Sequence, residues 1–302
     1  MTTVLGQRLL RREDAEILTG EARYVDDLNI PGALWLALVR SPVARARIRS
    51  IDTSQALESP GVVAVYTGEE LMGEWAAPLP VALTATPDQK VPAHYPLTSG
   101  TVNYVGDPVA VVVAQSRQEA MDAVAGVVVD YDVLPAVVDL EDSISDRVVI
   151  HEDLGTNASY TWPLQPNEEG VDAAFASAAH VVKERFIQQR LIPSAMEPRG
   201  AVAVPAPFGG HFTLYTSTQI PHILRVLLAL TLGISETKIR VVAPAVGGGF
   251  GAKLNIYPEE VLCLALARKL KKPVRWTESR SENTQASIHG RGQVQDIELA
   301  AD

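Results

Sequence analysis

Gly247, Gly248, Gly249 and Gly251 fall within five positions, broken only by Phe250, and they follow the strand-like run Ile239 to Val242. Adjacent glycines in mid-domain lose more conformational entropy on folding than any other residue and add no core volume. A tight turn needs one or two of them. A cluster this dense is tolerable where something large lies against bare backbone N–H groups, most often a phosphate or a cofactor tail. The spacing predicts a strand that feeds a ligand-cradling loop.

The run Gly247 to Ala252 also fits the loose Gly-x-Gly-x-x-Ala form of a dinucleotide fingerprint, with Glu278 near the end of the next strand as the acidic partner. That reading starts a helix inside the glycines. Lys253-Leu-Asn-Ile-Tyr-Pro258 instead separates them from the next helical stretch. Pro258 inside a helix begun at Gly249 would cost roughly 3 kcal/mol. The dinucleotide reading is disfavoured on that ground.

At 302 residues the chain is long enough for two domains. A net charge of −10 argues against a nucleic-acid partner or an anionic membrane surface. No apolar run reaches the length of a membrane span. Met1-Thr-Thr-Val-Leu-Gly-Gln-Arg8 lacks the apolar core of a signal peptide, so a cytoplasmic location is expected. Cys263, the only cysteine, lies in the apolar run Val261 to Ala267 and reads as a buried, inert thiol. One cysteine excludes an intrachain disulfide and a cysteine-ligated iron–sulfur cluster in this chain. The histidines show no HxxxH spacing.

Pattern and punctuation predict strands at Ala33 to Val39, Val62 to Tyr66 and the fully apolar Val109 to Ala114. Ser116 with Glu119 opens a helix ending at Gly126, and Val127 to Tyr131 returns as a strand, together an α/β unit. Five prolines between residues 72 and 100 (Pro78, Pro80, Pro87, Pro92, Pro96) predict an irregular excursion. The polar shift from Glu141 to Gly170, with Pro163 and Pro166, marks a boundary: one domain over 1–145, a linker over 146–170 and a second domain over 171–302. There, Val181 to Ile187, Ala201 to Val204, Phe212 to Tyr215, Ile239 to Val242, Val274 to Thr277 and Val294 to Ala300 read as strands. Pro221 to Gly233 reads as a largely buried helix, and Pro258 to about Leu270 as another. Glu259 and Glu260 in the first turn of that second helix suit the macrodipole. Glu197 and Arg199 read as a buried ion pair.

The run Val246-Gly-Gly-Gly-Phe-Gly-Ala-Lys253, followed by Tyr257-Pro-Glu-Glu260, resembles the molybdenum-cofactor subunit of the xanthine dehydrogenase/aldehyde oxidase family, nearest its carbon monoxide dehydrogenase large-subunit branch. Gly6 to Leu28, Arg40-Ser-Pro42, Tyr104 to Ala110, Leu134 to Asp139, Met196-Glu-Pro-Arg-Gly200, Thr216-Ser-Thr-Gln219 and Trp276 to Arg280 agree in the same order. The resemblance spans essentially the whole chain. It implies an α/β (α+β) fold: an N-terminal α/β hammerhead domain and then the first molybdopterin-cofactor-binding domain. It implies molybdenum–molybdopterin, in the cytosine dinucleotide form, as cofactor. Gln219 and Phe250 would lie beside the molybdenum without ligating it, and Gly248, Gly249 and Gly251 would let backbone N–H groups approach the pterin.

The resemblance further implies oxidative hydroxylation of an aldehyde, an aromatic heterocycle or carbon monoxide. Electrons would pass to iron–sulfur and FAD partner subunits, since this chain carries neither motif. Leu254 stands where purine-hydroxylating members have a glutamate, which disfavours a purine substrate. Family subunits run well over twice this length. The general-base glutamate is therefore expected beyond residue 302, in a missing C-terminal half, and the chain alone is expected to be inactive. The competing expectation is a non-catalytic cofactor-binding or assembly module.

Overall fold

The computed structural model describes residues 5–81, 84–163 and 168–302. Residues 1–4, within the N-terminus read for a leader, 82–83 of the excursion, and 164–167 of the expected linker (Pro166 among them) lie outside the described residues.

The strands are β1 (Leu34–Arg40), β2 (Ala46–Asp52), β3 (Val62–Thr67), β4 (Thr101–Val102), β5 (Pro108–Ala114), β6 (Val128–Val133), β7 (His180–Leu191), β8 (Gly200–Pro205), β9 (Phe212–Thr216), β10 (Ile239–Val242), β11 (Val274–Thr277) and β12 (Gly290–Ala301). The helices are α1 (Asp14–Thr19), α2 (Ser54–Leu57), α3 (Gly68–Leu71), α4 (Arg117–Val124), α5 (Leu140–Ile144), α6 (Glu168–Ser177), α7 (Pro221–Leu232), α8 (Pro258–Leu270) and α9 (Arg280–Ala286).

A mixed seven-stranded sheet in the order β10-β9-β8-β11-β1-β5-β3 organises the molecule. Strands from both halves of the sequence enter it. The seam is the parallel pair β1–β11, with Leu34 opposite Val274 and Trp35 opposite Arg275. β5 is buried along its whole length and lies antiparallel between β1 and β3, as its continuous apolar run requires.

The strand–helix–strand unit expected over residues 109–131 does not form within one sheet. β6 pairs antiparallel with β2 in a separate three-stranded sheet. The reason is in its side chains: Val129 and Tyr131 pack inward while Val128 and Asp130 are exposed, a half-solvated pattern unsuited to a sheet interior.

α8 is buried from Pro258 through Ala267 and packs on β8, β9 and β11. Cys263 is fully buried within it. α7 departs from its expectation. Leu224, Leu227, Leu228 and Leu232 face the core, but Ile223, Val226 and Leu230 are exposed, so one apolar side is uncovered. Among the described residues β7 and β12 pair only with each other, as a long antiparallel ribbon. α9 was not expected from the hydrophobic pattern; it opens with a capping box of Ser279 and Glu282.

Candidate functional site

β9, α7 and β10 form a unit whose strands are parallel neighbours, Phe212 opposite Ile239 through Tyr215 opposite Val242. The chain leaves the carboxyl ends of both strands on the same edge, at Thr216 to Gln219 and at the glycine loop. Ligands bind at such edges in open α/β sheets. Antiparallel β8 brings its amino end there too, since Ala201 pairs with Thr216 and Gly200 with Thr277 at the end of β11.

Both ends of the loop are tied down. The Gly247 N–H donates to Glu197 Oε2 at 2.7 Å, and the Glu197 N–H donates to the Gly247 carbonyl at 3.1 Å. At the other end Gln219 Oε1 accepts the N–H groups of Gly251 at 3.1 Å and Lys253 at 3.2 Å. The Gln219 N–H closes the contact onto the Lys253 carbonyl at 3.0 Å. The Tyr257 hydroxyl donates to the Ala252 carbonyl at 2.5 Å and accepts the Ile288 N–H at 3.1 Å.

The glycines answer to separate needs. A Cβ on Gly247 would sit 2.5 Å from the Glu197 Cβ, and one on Gly249 would sit 2.4 Å from Gln219 Oε1. Gly248 and Gly251 have φ of 99° and 91°, in the left-handed region that glycine tolerates. Phe250 is also left-handed, at φ 51°, which is unusual for a bulky residue. Its ring is 75% exposed. Among the described residues, the N–H groups of Gly248, Gly249 and Phe250 make no hydrogen bond, whereas those of Gly247 and Gly251 are taken by Glu197 and Gln219. Gly249 is buried, and a buried N–H with no partner calls for an acceptor.

Beneath the loop lies a charged layer. Buried Arg199 reaches Glu259 at 2.9 Å and Glu278 at 2.6 Å, with its guanidinium 3.7 Å above the Tyr257 ring. Arg40, at the end of β1, reaches Glu259 at 2.7 Å and Glu282 at 3.0 Å. The expected Glu197–Arg199 pair is absent. Arg199 is directed to two carboxylates that are almost inaccessible and must be compensated. Glu197 instead takes the ammonium of buried Lys253 at 3.0 Å.

Burial would raise the Glu259 carboxyl, but Arg199 and Arg40 outweigh it and hold the group at about 2. Burial pushes neighbouring Glu260 up to about 7 despite hydrogen bonds from the Thr216 hydroxyl at 2.7 Å and the Tyr257 N–H at 3.0 Å. Burial lowers the Lys253 ammonium, and Glu197 partly opposes the shift. The Tyr257 phenol is pushed up to about 12, again by burial.

All the residues expected at the site occupy this edge: Gln219 touches the loop, and Gly248, Gly249, Phe250 and Gly251 form it. The roles of Glu197, Lys253 and Tyr257 were not foreseen. One signal was available for the buried acids, because the unbroken apolar run Val261 to Ala267 marks a helix buried all round, so its first turn is buried with it. A cavity of about 800 Å³ adjoins the charged layer, lined by Arg40, Tyr257 and Glu259 together with Leu79, His94 and Ile288. Among the described residues, no group of three or more His, Cys, Asp or Glu side chains could hold a metal ion.

The site is thus a glycine-rich backbone loop at the carboxyl edge of parallel strands in a mixed α/β sheet. Residues 150–302 match the model of the molybdopterin cofactor-binding domain, and residues 19–135 match the aldehyde oxidase and xanthine dehydrogenase a/b hammerhead domain. The chain belongs to that family of molybdenum oxidoreductases. It is 36% identical to the carbon monoxide dehydrogenase large chain of Hydrogenophaga pseudoflava, over 97% of this chain and 37% of the relative. It is 37% identical to the nicotine 6-hydroxylase large subunit of Paenarthrobacter nicotinovorans, over 99% of this chain and 36% of the relative. The crystal structure of quinoline 2-oxidoreductase from Pseudomonas putida 86 superposes with a TM-score of 0.90 at 37% identity, covering 100% of this chain and 38% of that one. The chain therefore spans a little over a third of the length of these relatives. Among the described residues no helix is long and apolar enough to cross a membrane.

Proposed function

We propose that this chain is the hammerhead and first cofactor-binding portion of a molybdenum hydroxylase large subunit, over 1–145 and 171–302 with a linker at 146–170. The activity assigned is oxidative hydroxylation of a small electrophilic substrate: an aldehyde, an aromatic heterocycle or carbon monoxide. Electrons would leave through iron–sulfur and FAD subunits in the cytoplasm. One observation carries this reading. The adjacent N–H groups of Gly248, Gly249 and Phe250 are without partners beside Gln219, at the carboxyl ends of parallel strands.

These residues fit a molybdopterin group, and the cytosine dinucleotide is the form proposed for it. Its bound molybdenum supplies the oxygen-transfer and redox chemistry of hydroxylation. The N–H groups of Gly248, Gly249 and Phe250 would hold acceptor atoms of that group, while Gly251, its own N–H taken, would hold Gln219 in place. The Gln219 side chain has its oxygen committed to the loop, which leaves its NH2 as the donor toward the cofactor. Phe250 would shield the reacting face from water. Leu254, 43% exposed beyond the loop, offers no carboxylate to a purine.

The share of its relatives that the chain covers supports a partner role for a separate or further C-terminal portion, with the general base there. It also supports the second reading, a cofactor-binding or assembly module that does no chemistry alone. The test is expression in a host that makes the cofactor, followed by molybdenum and pterin analysis of the chain, alone and with any co-purifying subunits. Molybdenum and pterin are expected together, and Gln219→Ala should lower both without unfolding the domain. Their absence from every preparation would overturn the proposal. Hydroxylase turnover by the 302-residue chain alone would overturn the placement of the base outside it.

A further inference from the structure

We propose that Glu197 is the positioning residue of the glycine loop, and that its carboxylate, anchored on Lys253, sets where the free N–H groups of residues 248–250 stand. Four contacts carry this. Glu197 Oε2 accepts the Gly247 N–H at 2.7 Å and the Lys253 ammonium at 3.0 Å, so one oxygen joins the two ends of the loop. The Glu197 N–H donates to the Gly247 carbonyl at 3.1 Å, and Lys253 Nζ donates to the Glu197 carbonyl at 2.9 Å. Lys253 is almost wholly buried, with 2% of its side chain accessible, and Glu197 is its only carboxylate partner among the described residues. The buried Lys253 amine needs an acceptor, and the Glu197 side chain and carbonyl supply it. The close approach also accounts for Gly247, where any Cβ would collide with the Glu197 Cβ at 2.5 Å.

The geometry separates two tasks within the glycine cluster. Gly247 is glycine because Glu197 lies against it, and its N–H is occupied. Gly248 and Gly249 carry the free N–H groups. Glu197 acts on any ligand only through the loop, so it is distinct from Gln219, which sits beside the free groups. The inference rests on the cofactor reading for its purpose but not for its geometry.

The test uses the whole chain labelled with 15N-glycine, whose 21 glycines give a tractable amide spectrum. Glu197→Ala should speed hydrogen exchange at Gly247 by roughly tenfold or more, as expected for a lost hydrogen bond to a charged acceptor. Gly106 and Gly126, far from Glu197 in sequence and bonded to the Ser41 and Ala123 carbonyls, should stay unchanged. Glu197→Gln keeps an oxygen for the Gly247 N–H and should restore slow exchange there. Lys253→Met should speed exchange at Gly247 too, by freeing the carboxylate. Should Glu197→Ala fold poorly, the contrast between Glu197→Gln and Lys253→Met still decides the matter. Unchanged Gly247 exchange in Glu197→Ala, or in Lys253→Met, would overturn the proposal. In chain purified from a cofactor-making host, the molybdenum content should fall in Glu197→Ala and recover in Glu197→Gln. Exchange that responds as stated in a wild-type chain that never takes up molybdenum would leave the positioning role standing and remove the cofactor reading.

Discussion

Glu260 accepts hydrogen bonds from the Thr216 hydroxyl and the Tyr257 N–H and joins no ion pair among the described residues, while the adjacent Glu259 has two arginines. The two acids therefore titrate on opposite sides of the ordinary 4.5, Glu259 at about 2 and Glu260 at about 7. The signs differ accordingly. Glu259 stabilises the fold above pH 4.5 and loses that contribution as pH falls toward 2. Glu260 is bound to its proton more tightly when folded, so its contribution is full below pH 4.5 and is lost as pH rises through 7. A shift of that size corresponds to roughly 3–4 kcal/mol. The urea midpoint should thus decline between pH 5 and pH 7.5. Glu260→Gln, which mimics the protonated acid by offering Thr216 an NH2, should flatten that decline; an unaltered slope would contradict the assignment. Arg199→Met leaves Glu259 and Glu278 short of a cation and should cost on the order of 3–5 kcal/mol in the same assay. Gly249→Ala should cost about 1–3 kcal/mol, because its Cβ displaces the Gln219 amide. Gly251→Ala, with open space around its Cβ position, should suffer backbone strain alone.

Elements whose burial is decided by their own side chains were legible in the sequence. β5 follows from six consecutive apolar residues after Pro108, and α8 from Pro258 at its first turn and Pro273 beyond its end. The glycine loop was legible as a loop after a strand, but the separate need behind each glycine was not, since Gly247 and Gly249 answer to Glu197 and Gln219. What escaped is what distant residues decide. Nothing local marks Lys253 as buried, because its partner Glu197 lies 56 residues earlier in the chain. β6 reads as the partner of β5 until its exposed Val128 and Asp130 show that one face is wet. α9 escaped because it is short and has no hydrophobic period; only its capping pair announces it. The β7–β12 ribbon also illustrates the limit, since its exposed Val182, Phe186, Ile297 and Leu299 give a strand pattern without the sheet to cover it. A two-stranded ribbon is marginal on its own. Its amides should exchange far ahead of those in β1 and β5 when followed by mass spectrometry. Equal protection would mean that the ribbon is covered in solution.

At the scale of the whole molecule, the two matched regions share one sheet rather than standing apart as separate bodies. Tyr160 and Trp162, 47% and 60% exposed, mark an accessible segment within the proposed linker over 146–170. Proteolytic nicking there should leave two fragments that co-elute and melt in one transition, since the β1–β11 seam holds them together. Fragments that part under native conditions would show the seam to be weak. The seam has a further consequence, during synthesis. β1 lies between β5 and β11, so its second edge stays open from the moment residue 34 leaves the ribosome until residue 274 follows. At ~5–20 residues per second that interval is roughly 10–50 s. Through it the nascent chain displays an unpaired strand edge of Leu34 and Trp35, and a chaperone that shields such edges would determine how much of this protein reaches the folded state.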